Sequence, residues 1–152
     1  MDNEQKPIDL HSPTNSKLIA LIISSFLTTF VLARLTVYLV LNHLIPNLFL
    51  IIRGVHVHHF TYGVFILAIA GLYLLLKRPE AHFRSFKFLT IAYGVGLGLT
   101  FDEFGMWLRL EDNYWTRQSY DAIIIVALVL LNIIYYKWVI RGVKELIRLV
   151  RL

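Results

Sequence analysis

The chemistry available to this chain is concentrated in two short polar clusters. His56-Val57-His58-His59 stands just ahead of an apolar run, and Asp102-Glu103 sits inside another. Neutral imidazoles and carboxylates together make the donor set of zinc sites, and also of iron, manganese or copper sites. On a helix, His56 and His59 share one face while His58 and Tyr62 share another. In extended chain, His56 and His58 fall on the same side instead. No single backbone form aims all three rings at one point, so two histidines with one or two carboxylates make the expected shell. His58, His59 and Asp102 lead as metal ligands, with His56 and Glu103 as further candidates. The remaining histidine serves as a hydrogen-bonding partner or proton carrier. As catalytic groups, Glu103 is the expected general base, and Arg34 the group that orients a carboxylate or binds an anionic headgroup.

These groups lie in a chain built for lipid. It has 152 residues, 57% of them hydrophobic, and a mean hydropathy of +0.63. Soluble domains average about 45–50% apolar residues. A carboxylate near the centre of a spanning helix costs roughly 2.5–3.5 kcal/mol on insertion scales. A bound metal or an ion-pair network must therefore offset Asp102 and Glu103. The absence of cysteine excludes disulfides, thiolate metal sites and Cys nucleophiles. The net charge of +5 does not call for nucleic acid. The Lys and Arg residues flank apolar runs, where lipid headgroups are the natural partner.

The apolar runs predict an all-α integral membrane bundle of four transmembrane helices. They lie near Lys17 to Leu41, Phe60 to Leu76, Phe88 to Leu108 and Tyr120 to Tyr136, and about 20 apolar residues cross the hydrocarbon. The division is a cytoplasmic segment 1–16, a membrane domain 17–140 and a basic tail 141–152. The first span reads as an uncleaved signal anchor, because no small-residue cleavage site follows it. Lys6, Lys17, Lys77, Arg78, Arg84, Lys87, Lys137, Arg141, Lys144, Arg148 and Arg151 fall on one side. Arg53, Arg109 and Arg117 fall on the other, which predicts cytoplasmic termini. Both polar clusters then meet near the outer interface. Arg34, about two-thirds of the way along the first span, reaches a similar depth and wants Asp102 or Glu103 as its partner. Asp112, Tyr114 and Asp121 come to the rim of the same region.

The connecting pieces carry their own expectations. Leu44 to Val55 is too short to span and reads as an interfacial or re-entrant segment. Gly94, Gly98, Asp102 and Gly105 share one face of the third span, and Gly96, Thr100 and Glu103 a neighbouring one. Both invite close helix packing. Ser119 reads as the cap of the fourth helix. Asn132 reads as a hydrogen bond between helices. The stretch from Lys137 to Leu152 is a basic amphipathic helix that lies on the cytoplasmic leaflet or prolongs the fourth span. His11, His43 and His82 read as incidental.

The pattern Gly54-x-His56-x-His58-His59-x-x-x-Gly63, then Gly98-x-x-x-Asp102-Glu103-x-x-x-Trp107-Leu108 and Asp112-x-Tyr114-Trp115, resembles small bacterial integral membrane proteins of unassigned function. That likeness covers the second and third spans and the following loop, and it implies a bacterial cytoplasmic membrane but no activity. In site chemistry alone, the cluster is similar to the ceramidase and progestin/adipoQ receptor group of zinc membrane hydrolases. Those have seven spans and dispersed histidines.

Three functions are open at this level. The first is a metal-dependent hydrolase acting on a lipid or another amphiphile, with zinc the leading metal. The second is a transporter or sensor of metal ions or protons. The third is an accessory subunit held together by its polar network. Membrane lipids and a second copy of the chain are the expected partners.

Overall fold

A computed structural model describes residues 13–77 and 84–150. The expectations for residues 1–12, His11 among them, and for the 78–83 link with His82 lie outside the described residues. The order is α1 (Pro13–Leu41), β1 (Ile51–Ile52), β2 (Val55–His56), α2 (His59–Lys77), α3 (Arg84–Asp102), α4 (Phe104–Arg109) and α5 (Arg117–Val150). Among the described residues, that small hairpin is the only strand structure, and three segments are long and apolar enough to cross a membrane: Asn15–Leu41, His59–Lys77 and Arg117–Tyr136. Large apolar side chains such as Val31, Ile69, Leu75 and Leu128 face outward from these helices. In water such a surface would be an aggregation hazard, whereas lipid tails accept it without penalty.

Helix α3 is less apolar because it faces protein on two sides. It packs between α1 and α2. A Cβ on Gly98 would lie 2.8 Å from the Phe26 carbonyl oxygen of α1, and one on Gly94 2.6 Å from that of Ile22. A Cβ on Gly63 of α2 would come within 2.7 Å of the Gly96 carbonyl oxygen and the Thr100 amide of α3. Only hydrogen at these positions lets the backbones approach so closely. The two glycine faces read from the sequence are thus the two packing faces, except that Gly105, expected on the first, lies on α4 and packs against Thr116 and Ser119. Gly94 and Gly98 turn Asp102 toward α1, and Gly96 turns Glu103 toward α2.

The chain changes direction four times near the polar clusters. His43 adopts a left-handed conformation (φ 56) after α1. Its N–H donates to the Val40 carbonyl at 3.0 Å while that of Leu44 donates to the Leu39 carbonyl at 2.9 Å. This closes the helix as a Schellman motif, with His where Gly is usual. The expected interfacial segment then folds as a tight hairpin pairing Ile51 with His56 and Ile52 with Val55. Its two turn residues, Arg53 (φ 51) and Gly54 (φ 81), both take positive φ, as a type I′ turn requires. The third span does not run unbroken from Phe88 to Leu108. It stops at Asp102, and Glu103 (φ −98, ψ 11) links it to the short α4. Leu110 (φ 55) ends α4 and sends the chain back over the bundle. Met106, Val37 and Tyr114 form the buried apolar core there, with Phe49 of the hairpin loop packed on it.

One capping expectation is corrected. Ser119 lies in the first turn of α5 rather than at its cap, which Thr116 occupies. The Ser119 hydroxyl instead accepts the Gly105 N–H at 2.9 Å, satisfying a donor at the start of α4 that has no partner within its own helix. The tail is one helix with the preceding span, since α5 is continuous to Val150.

Candidate metal centre

The polar groups converge where α1, α2 and α3 meet the α4–α5 link. Asp102 and Glu103 are buried at 0% and 1% exposure, and Arg34 at 8%. Arg34 reaches from α1 to form an ion pair through Nε with Asp102 Oδ1. Its Nη2 donates to the Asp102 carbonyl at 2.5 Å, and its Nη1 donates to the Tyr114 carbonyl. The rings of Tyr120, Phe30 and Trp115 surround the guanidinium at 5.0, 5.6 and 5.6 Å. Arg34 therefore has its charge, fork and faces all engaged inside the protein. It ties α1 to α3, to the α4–α5 link and to α5.

The second ring of contacts belongs to α2. His59 opens this helix and turns both ring nitrogens to carboxylates. Nε2 lies 2.6 Å from Asp102 Oδ2 and Nδ1 lies 3.3 Å from Glu103 Oε1. Each ring nitrogen thus faces a carboxylate. Glu103 also accepts the Phe60 N–H at 2.8 Å through Oε2. A carboxylate at the N-terminus of α2 is favoured by the unpaired N–H groups and the helix dipole. Charged groups at membrane depth are thus neutralised against each other.

His58 stands at the edge of this network. Its Nδ1 lies 3.2 Å from Glu103 Oε1. Donation from Nδ1 leaves Nε2 as the lone-pair nitrogen. His56 and His58 lie on extended chain, so they fall on one side, with ring centroids 4.5 Å apart. Phe49 lies 4.7 Å beyond His56, and Tyr114 lies 6.3 Å from His58. One ligand atom each from His56, His58 and the exposed Asp112 lie within 4.8 Å of one another. Two donors on a tetrahedral zinc are about 3.3 Å apart, from bond lengths near 2.0–2.1 Å. Asp112, being exposed, is free to make that adjustment.

Of the residues expected as ligands, His59, Asp102 and Glu103 engage in ion pairs and hydrogen bonds, whereas His56 and His58 lie with Asp112 in a group able to hold a metal ion. The sequence put Asp112 at the rim but gave it no ligand role. Its position depends on the left-handed turn at Leu110, which no periodicity announces. Burial raises the Tyr114 phenol above its ordinary range, reinforced by the charges of Glu103, Asp112 and Asp102 and opposed by Arg34.

Two hollows flank the centre. One of about 320 Å³ is lined by His58, Glu103, Trp107, Leu110, Glu111 and Asp112. The other, about 350 Å³, lies between α1 and α2 under the hairpin, where Leu32, Val37, Leu48 and Tyr62 lead to His56 and His59. Comparison with family models, with curated proteins and with solved structures finds no match for this chain.

Proposed function

We propose that the chain is a four-span protein of a bacterial cytoplasmic membrane, with both ends in the cytoplasm and a divalent metal, zinc first, at its outer interface. In this reading His56, His58 and Asp112 hold the ion, and the centre hydrolyses a lipid or another amphiphile. The observation that carries the reading is the His58 ring, whose Nδ1 faces a buried carboxylate on Glu103. Ligating histidines almost always give their second nitrogen to such a partner, which fixes the tautomer and raises ligand basicity. Three protein ligands leave one position of a tetrahedron open, the mark of a catalytic rather than a structural zinc site. A bound ion there supplies polarisation of a carbonyl or phosphoryl oxygen and an acidified water. Glu103 acts by holding His58, since Oε2 already accepts the Phe60 N–H and Oε1 faces His58 and His59. Arg34, Asp102 and His59 brace the site. The apolar hollow beside His56 takes the hydrocarbon part of the substrate.

The fourth span in this topology is α3. Its 19 residues extend about 28 Å at 1.5 Å per residue, close to the hydrocarbon thickness of about 30 Å. Lying between α1 and α2, it needs fewer apolar side chains than a lipid-facing helix. The distribution of Lys and Arg supports the orientation.

A structural reading has its own support, because Arg34, Asp102, His59 and Glu103 satisfy one another without an ion. Transport has less. The hollow at the opposite end of α1–α3 is lined mainly by Leu18, Ile19, Ile22, Leu74, Leu89 and Tyr93, a poor path for an ion. The test is hydrolysis of fluorogenic esters and phospholipids in proteoliposomes, with and without added zinc. Metal-dependent turnover is expected in the parent protein and is lost in Asp112→Asn. Glu103→Gln should lower metal affinity or activity about 10- to 100-fold. Zinc binding without turnover on any amphiphile would remove the hydrolase while leaving the metal centre.

A further inference from the structure

We propose that α5 is a dimer interface: two copies of this chain pair along the face carrying Ile125, Val129, Asn132, Val139, Val143 and Leu146, and their Asn132 amides hydrogen-bond to each other. This requires α5 to cross the membrane but does not rest on the metal centre.

Helix α5 has two distinct sides. Ser119, Ala122 and Ile123 are buried against the chain's own bundle. An adjoining side is open from Ile125 onward: Ile125, Val129, Val139, Val143 and Leu146 are all about half exposed or more. These positions, with Asn132 and Tyr136 between them, follow one another at alternating steps of four and three. That 3.5-residue period is the seam of a left-handed two-helix coil. Past the membrane span, Arg141, Lys144, Glu145 and Arg148 all fall on the outer positions of the same heptad. A pair formed along the seam buries no charge. The seam also outlasts the bilayer: α5 has 34 residues, or about 51 Å of helix, against about 30 Å of hydrocarbon.

Asn132 decides what the partner is. It lies inside the apolar segment Arg117–Tyr136, is exposed on the seam, and among the described residues its amide makes no hydrogen bond. An unsatisfied amide facing hydrocarbon is costly. Asparagine carries both a donor and an acceptor, so it complements its own copy across a two-fold axis. Copies in one membrane share an orientation, which makes their α5 helices parallel and sets Asn132 at the same depth in each. A second copy therefore supplies the missing partner with the right chemistry at the right height. A lone polar residue within such a seam also sets its register.

The chain has no cysteine, so single-Cys variants report this geometry without background. Val139→Cys, Val143→Cys and Leu146→Cys, oxidised in native membranes, should form disulfide-linked dimers. Lys144→Cys and Arg148→Cys should not. Energy transfer between labelled copies in liposomes should show Asn132→Leu weakening the dimer by about three- to twenty-fold, with Asn132→Gln restoring it. Equal cross-linking on both faces, no cross-linking at any position, cross-links to a different protein, or an unchanged affinity in Asn132→Leu would each overturn the proposal. The metal content of the centre should be the same in all these variants.

Discussion

Replacing Asp102 with Asn probes the buried network at its most loaded point. The substitution keeps volume and one oxygen acceptor but removes the charge facing Arg34 and His59. Asp102 is 0% exposed and Arg34 8%, so neither side chain can recover its hydration. Two unit charges about 4 Å apart attract by about 4 kcal/mol at an effective dielectric near 20, most of which offsets their desolvation. Removing one partner leaves the other uncompensated, a loss of about 3–5 kcal/mol. Arg34 keeps the carbonyls of residues 102 and 114, which places Asp102→Asn near the lower end. Arg34→Met should cost a similar amount. The double variant removes both charges together, so it should be less destabilised than the sum of the singles by about 2–3 kcal/mol. Reversible unfolding in mixed micelles, read by circular dichroism, gives all three values. A coupling below about 0.5 kcal/mol is what a solvent-exposed pair gives, and it would refute the enclosed ion pair.

Two further outcomes follow from the same structure. Because the folded state holds the Tyr114 phenol proton more tightly than the unfolded chain does, pH has no effect through this group below about 10, the usual phenol value. Above it the unfolded chain ionises first, so stability falls by up to about 1.4 kcal/mol per pH unit; alkaline melts of Tyr114→Phe should show a shallower decline. Gly63→Ala should destabilise by about 1–3 kcal/mol, since its Cβ would meet the backbone of α3 at 2.7 Å, while Gly71→Ala, with nothing within 4 Å, should gain up to about 1 kcal/mol of helix propensity. Thermal melts of the two side by side check both.

The helices α1 and α2 and the membrane part of α5 were legible because long apolar runs carry a strong signal. The packing of α3 was legible too, since Gly94, Gly96 and Gly98 have little other use in a span. So was the pairing of Arg34 with the Asp102-Glu103 cluster, which depth and charge bring together, although they leave open which of the two acids it takes. The hairpin was not, because Ile51, Ile52 and Val55 look like a greasy interfacial run, and only Arg53-Gly54 with paired positive φ reveals the turn. The break at Asp102–Glu103 was hidden as well. Apolar residues continue on both sides of it, and the signal lies in one backbone conformation. The same limit hid the placement of Asp112. Its approach to His56 and His58 is set by the Leu110 turn, a tertiary feature with no sequence period. The different partners of His58 and His59 were beyond residue types alone, since the two are neighbours with the same side chain.

Elemental analysis of untagged protein, purified without added metal and then titrated with zinc, bears most directly on the proposed centre. The expected result is about one divalent ion per chain at a three-ligand site, lost in His58→Ala and Asp112→Asn and retained in Asn132→Leu. Protein that is folded yet takes up no metal, or that binds it equally well without His58 and Asp112, would contradict the assignment.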